Sequence, residues 1–291
     1  MDHRFNRVAI LGLGLMGASL ALALRAAGGA RELAGYDVAP GVAEQARTRG
    51  LVDRAHASAA EAVAGADLVV LAAPVLAMRD LLAAIAPHLG PATLVTDLGS
   101  TKAEVVAWAA DRLPAPEHFI GGHPMTGRER SGLAAADATL YDGCVWCLTP
   151  SLHTAPDAQA RVAALVTALG ARPLIVDPAQ HDAAVAAISH LSLLAATALM
   201  LTATQDPAWE LARQLAAGGF RDTTRVASGD PRMARDICLT NTQPLLAVLD
   251  AYLARLHTLR DQLAAQDPAI EATFAAAKAA RDAWLAQPRQ P

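Results

Sequence analysis

The stretch Val8-Ala9-Ile10-Leu11-Gly12-Leu13-Gly14-Leu15-Met16-Gly17 runs from an apolar strand, through three spaced glycines, into the first turn of a helix. That is the context in which Gly-x-Gly-x-x-Gly binds a dinucleotide. Gly12 permits a tight turn, Gly14 lets the backbone approach a pyrophosphate, and Gly17 lets helix and strand pack closely. The helix N-terminus favours the phosphate charge. Three glycines alone are a weak signal. Here a second apolar strand ends at Gly35-Tyr36-Asp37, where an acid can meet the adenosine ribose hydroxyls. The expected cofactor contacts are Gly12, Leu13, Gly14, Leu15, Met16, Gly17 and Asp37, with Ala73 and Pro74 at the end of the strand Asp67–Ala72. A carboxylate at Asp37 repels a 2′-phosphate, and Val38-Ala39-Pro40 supplies no arginine to bind one, so the pattern favours NAD over NADP.

Outward from this unit, short apolar strands alternate with helical stretches, the pattern of a parallel α/β sheet. The expected strands are Arg7–Leu11, Leu33–Tyr36, Asp67–Ala72, Thr93–Asp97, His118–Gly121, Cys144–Leu148 and Pro173–Val176. After Asp177-Pro178 only helical patterns follow, punctuated by Asp206-Pro207, Gly218-Gly219, Gly229-Asp230-Pro231 and Asp267-Pro268. The fold class is therefore an α/β Rossmann-type N-terminal domain, residues 1–176, followed by an all-helical C-terminal domain, residues 177–291. In the helical half Leu249, Leu256 and Leu263 recur at heptad spacing beside Leu245, Tyr252 and Leu259. That seam reads more readily as intradomain core than as a subunit contact. Even so, a helical half with several apolar faces is a natural place for two copies to pair, and a homodimer through it is expected.

At 291 residues and 53% hydrophobic, the chain can bury one large core or two modest ones. A net charge of -4 gives no reason to expect nucleic acid or an anionic membrane as partner. The longest apolar runs are Ala-rich and broken by charge, and none reads as a bilayer span. The N-terminus enters a strand almost at once, with no signal peptide, so the chain reads as cytoplasmic. Cys144-Val145-Trp146-Cys147 has redox or half-zinc spacing, but it lies in a strand-like run and has no second pair, so sheet-core cysteines are expected.

Two further segments fall at strand ends, where open α/β sheets place their ligands. One is Asp97-Leu98-Gly99-Ser100-Thr101-Lys102. Ser100 there reads equally as a helix N-cap or a substrate contact. The other is Gly121-Gly122-His123-Pro124-Met125-Thr126-Gly127-Arg128-Glu129-Arg130-Ser131-Gly132. A lone histidine in a turn is usually structural. One flanked by glycines and Pro-Met-Thr-Gly at a sheet's carboxyl edge points to function, and both segments should flank the nicotinamide.

The order of these blocks resembles the prephenate/arogenate dehydrogenase family. After Asp-x-Gly-Ser-x-Lys and the His-Pro block come His181-Asp182 and Ser189-His190-Leu191. Gly219-Phe220-Arg221-Asp222-Thr223-Thr224-Arg225-Val226-Ala227 and Asp230-Pro231-x-Met233 continue the match, which spans Val8 to about Asn241. The resemblance implies NAD-dependent oxidative decarboxylation of prephenate, arogenate or both. It implies that His123 takes the proton of the substrate's C4 hydroxyl as hydride leaves for NAD⁺, and that Ser100 assists there. Arg225 is implied to bind the ring carboxylate and Glu129 to gate the mouth of the site, with Thr126 and His190 as further substrate contacts. Loss of CO₂ aromatises the ring, so no metal is required and one general base suffices. A histidine of ordinary pKa would make activity fall as pH drops through roughly 6–7.

Where the family usually reads Ser-His-Leu-Pro-His, Ser192 and Leu193 stand here. That departure leaves open a 4-amino-4-deoxyprephenate dehydrogenase. A β-hydroxyacid dehydrogenase would need a lysine in the helical half, where the only one is Lys278, in no suitable motif. A non-catalytic NAD-binding regulator would need neither His123 nor Arg225. His181 leans toward a plain structural reading, with His-Asp capping its helix.

Overall fold

The computed structural model describes residues 4–128 and 131–287. Contacts divide the chain into two compact units, Met1–Thr242 and Gln243–Pro291.

The first unit is built on one eight-stranded sheet of order β3-β2-β1-β4-β5-β6-β7-β8. The strands are β1 (Phe5–Leu11), β2 (Ala30–Tyr36), β3 (Arg54–Ala55), β4 (Leu68–Leu71), β5 (Leu94–Asp97), β6 (Phe119–Pro124), β7 (Val145–Pro150) and β8 (Arg172–Ile175). In β1, Val8 and Ile10 enter the core on one sheet face while Ala9 and Leu11 enter the other. All four have no exposed surface. A parallel strand covered by helices on both faces reads as a continuous apolar run for this reason. Helix Leu15–Ala26 follows β1 and buries Ala18, Leu20, Ala21 and Leu24 against the sheet.

Three features differ from the sequence expectation. β3 is a two-residue edge strand without a hydrophobic run, so nothing in its composition marks it. β6 extends beyond Gly121 to Pro124, and β7 pairs with it antiparallel, with His123 opposite Cys147. The connection between them explains the reversal. It is long enough for a crossover, but among its described residues it carries only the 3-10 turn Leu133–Ala135 and not the helix that a parallel return usually uses. Helix Pro178–Gln205 is 28 residues long and contains an 18-residue stretch of mean hydropathy 1.9, long and apolar enough to cross a membrane. The expectation that no run meets that test therefore fails on length and composition. The polar groups of its first turns, His181, Asp182 and His190, are buried in hydrogen bonds with the rest of the first unit.

After β8 the described residues are helical or in turns. Helix Pro178–Val185 passes through the π-helical turn Ala186–His190 into helix Leu191–Gln205. Helices Trp209–Leu215 and Gly218–Thr224, the 3-10 turn Arg225–Ser228 and helix Pro231–Thr240 complete the unit.

The second unit holds helix Ile270–Ala286 and all but the first residue of helix Thr242–Ala264. Here the reading of the seam as intradomain core is corrected at Leu256 and Leu263, 41% and 66% exposed, while Leu245 is buried. Two helices alone present too little surface to cover that seam from both sides.

Candidate functional site

The cofactor end is formed by the turn after β1. Gly12 has φ +102°, and a Cβ there would lie 2.5 Å from the Ala72 carbonyl oxygen. Both facts require glycine. At Gly14 a Cβ would meet nothing within 4 Å, which leaves the backbone face of the turn open to a bulky ligand. Gly17 is held against the turn, since a Cβ would fall 1.9 Å from the Gly12 carbonyl oxygen. Ala72 and Ala73 abut this turn, and Pro74 begins helix Val75–Ile85.

Asp37 follows β2, and its carboxylate accepts the Leu13 amide at 2.7 Å and the Ala39 amide at 2.8 Å. It thus fastens the strand end to the glycine turn. Beside it lies a cleft of about 410 Å³ lined by Tyr36, Asp37, Val38, Ala39, His56 and Ala57 among others, with no arginine among its lining residues. Both the open turn and a cleft without an arginine fit NAD.

The chemical end lies at the carboxyl edges of β5 and β6. Asp97 ends β5 with no exposed surface. It accepts the Gly99 amide at 2.7 Å and the Gly122 amide at 3.0 Å. The fully buried Lys102 ammonium ion-pairs with Asp97 and donates to the Gly122 carbonyl at 2.8 Å. Gly122 is therefore tied through both its backbone groups, and the next residue is His123. A Cβ on Gly122 would lie 2.4 Å from the Asp97 carbonyl oxygen. Burial pushes the Lys102 amine below its ordinary range, opposed by Asp97.

His123 Nδ1 lies 2.9 Å from Nε2 of His181, whose Nδ1 lies 2.8 Å from the Asp182 carboxylate. Asp182 also accepts the backbone amides of Lys102 at 2.8 Å and Ala103 at 2.9 Å. It thereby caps helix Ala103–Arg112 from 79 residues away along the chain. Burial, then the neighbouring His181, Lys102 and His190, hold His123 well below the ordinary histidine range. An acid limb set by His123 would therefore lie below the pH expected of an ordinary histidine. His190 is buried on the π-helical turn, with Nδ1 3.0 Å from the Asn241 amide nitrogen, which also donates to the Asp182 carbonyl at 2.8 Å. Burial pushes His190 down to about 4.

The other expected residues fall as follows. Ser100 is half-buried between Asp97 and Lys102 but does not cap the helix, which has Lys102 at that position and Asp182 as its acceptor. The N-cap reading is corrected because a distant carboxylate supplies the cap. Thr126 is half-buried in the loop after β6, its amide 2.8 Å from the Pro124 carbonyl. Glu129 lies outside the described residues. Arg225 is exposed at the start of its 3-10 turn, which packs on helix Leu191–Gln205. Arg221 pairs locally with Asp222 at 3.1 Å. Cys147 is buried and Cys144 half-buried, both as free thiols, and burial raises each, Cys144 to about 11. Among the described residues no cluster of metal-ligating side chains forms.

Asp97 and Lys102 stand in the Asp-x-Gly-Ser-x-Lys block with no role evident from sequence, and Asp182 there suggests only a cap for its own helix. Asn241 marked no more than the end of a resemblance. No local pattern betrays Asp182 or Asn241, because each acts on an element far along the chain, whereas Asp97 and Lys102 pair within one short block.

A glycine turn shaped for a pyrophosphate, a carboxylate at the ribose position and a depressed histidine at the sheet's carboxyl edge define a dinucleotide-dependent dehydrogenase. Comparison with known proteins narrows this class. Residues 20–175 match the family model of the prephenate dehydrogenase nucleotide-binding domain, and residues 177–274 that of the prephenate dehydrogenase dimerization domain. Cyclohexadienyl dehydrogenase of Zymomonas mobilis is 37% identical over 266 residues, 90% of each chain. The crystal structure of prephenate dehydrogenase from A. aeolicus in complex with hydroxyphenyl propionate and NAD⁺ superimposes with a TM-score of 0.87 at 29% identity, covering 95% of this chain and 98% of that one. Synechocystis arogenate dehydrogenase gives a TM-score of 0.80 at 32% identity, covering 96% and 99%. The chain belongs to the prephenate dehydrogenase family.

Proposed function

We propose that this protein catalyses the NAD⁺-dependent oxidative decarboxylation of prephenate, arogenate or both. The observation that carries the reading is His123, clamped at the sheet's carboxyl edge through Gly122 and held neutral by burial. Bound NAD⁺ supplies the hydride acceptor. His123 takes the proton of the C4 hydroxyl as the C4 hydrogen leaves with its electron pair, so C4 becomes a carbonyl. The bond from C1 to the carboxylate then breaks, its pair flows through the diene to the carbonyl oxygen, and CO₂ departs. His123 returns its proton to the resulting phenolate. A base must be unprotonated at working pH, and a depressed pKa secures that.

Ser100, beside Lys102 at the same edge, assists at the hydroxyl. Arg225 takes the ring carboxylate, where its fork can pair both oxygens. Thr126 and His190 complete the substrate side, and Glu129 gates it. Gly12 to Gly17, Asp37, Ala73 and Pro74 hold the cofactor. The functional division is that of a cofactor domain, 1–176, and a substrate and pairing domain, 177–291. The exposed leucines of helix Thr242–Ala264 and the dimerization-domain match support a homodimer through the helical half.

Purified protein incubated with prephenate and NAD⁺ should form NADH, and arogenate run in parallel ranks the two substrates. If neither substrate gives NADH, the proposal is wrong.

A further inference from the structure

We propose that Asp182, acting through His181, fixes the tautomer of His123 so that Nε2 is the nitrogen that accepts the substrate's proton. The inference rests on His123 being the base and adds which atom of it reacts and what sets that choice. It follows from counting donors and acceptors along the chain of contacts.

The Asp182 carboxylate accepts two backbone amides, at 2.8 and 2.9 Å, and an ionised carboxylate has no proton to give. Its 2.8 Å contact with His181 Nδ1 must therefore be donated by the ring. A neutral imidazole carries one N–H, so His181 Nε2 is left with a lone pair. With His181 in that neutral form, the 2.9 Å contact between its Nε2 and His123 Nδ1 is donated by His123. His123 carries its proton on Nδ1, and Nε2 holds the free pair. When Nε2 takes the substrate proton, the charge on His123 is shared through Nδ1–H toward His181 and the Asp182 carboxylate.

Asp182 is itself immobile. It is 2% exposed, bound to the start of helix Ala103–Arg112, and its own carbonyl accepts from Asn241. The same amide nitrogen approaches His190 Nδ1, so His190 presents a lone pair there and does not compete for the Asp182 carboxylate. Asp182 and His181 are positioning residues, since neither needs to touch substrate. A carboxylate that orients an imidazole in this manner is worth up to about 10⁴ in kcat in other enzymes.

Ring-nitrogen NMR of isotope-labelled histidine, with His123 assigned by its loss in His123→Asn, reads the tautomer directly. Neutral His123 protonated at Nδ1 is the result expected, and protonation at Nε2 would overturn the proposal whatever the substrate. Asp182→Asn puts an amide donor where His181 needs an acceptor, and should lower kcat by about 10²–10⁴. KM for prephenate and affinity for NAD⁺ should stay near wild type. His181→Gln can still offer an oxygen to His123 Nδ1 and should retain far more activity than His181→Leu. Equal activity in those two variants would count against the relay, and they remain informative if Asp182→Asn does not fold. Full kcat in Asp182→Asn alongside an inactive His123→Asn would sink the relay and leave the base intact. Full kcat in both would remove the base itself.

Discussion

His123, Arg225 and His190 each make a separate claim at the scale of single residues. His123→Asn should bind NAD⁺ normally and lose about 10²–10⁴ in kcat, the usual cost of removing a general base. Because burial, then the neighbouring His181, Lys102 and His190, depress its pKa, the acid limb of wild-type kcat/KM should lie below the ordinary histidine range. An acid limb at or above that range would show that His123 is not in the environment described. Arg225 is exposed, so the large penalty of a broken buried pair does not apply to the free chain. A charge-assisted bond to the ring carboxylate is worth about 1.5–3 kcal/mol, so Arg225→Ala should raise KM for prephenate about tenfold to a hundredfold. Arg221→Ala, already paired with Asp222, should do much less, and the reverse ranking would move the carboxylate site.

His190 has its own consequence for stability. The folded state holds it down to about 4, whereas the unfolded chain binds its proton near 6.5. Across that window the unfolded state carries the extra proton, so stability falls as pH drops from 6.5 toward 4. His190→Gln cannot titrate and keeps an acceptor for Asn241. Its denaturation midpoint should depend less steeply on pH than the wild type's, and an identical slope would contradict the burial argument.

At the scale of elements, the glycine turn and the two strand-end segments were legible because each is a local signal. A positive φ, a close backbone approach and an apolar run all leave marks on adjacent residues. What stayed hidden was long-range. The helix start that Ser100 resembles a cap for is capped by Asp182. The pairing of β6 with β7 depends on a connection with little pattern of its own, and β3 has two residues. The same reasoning gives Asp37 a test. Val38 is 85% exposed at the rim of its cleft, so an arginine there can reach a 2′-phosphate without disturbing the core. Asp37→Ser with Val38→Arg should shift preference from NAD toward NADP. Wild-type protein that already turns over equally well with NADP would refute the role given to Asp37.

For the whole molecule, the family assignment and the geometry agree on one chemistry, and the apolar seam of the helical half asks for a second copy. Leu256→Asp with Leu263→Asp should convert a dimer to a monomer in sedimentation, and a wild-type monomer would leave the seam unexplained. The central claim is the reaction, and one assay tests it most directly. Pure protein given NAD⁺ and either prephenate or, in parallel, arogenate is followed for NADH and CO₂ together on the substrate it accepts, with His123→Asn as the matched control. The account predicts NADH and CO₂ in equal amounts from the wild type and almost none from the variant. NADH without CO₂, or equal rates from both proteins, would contradict it.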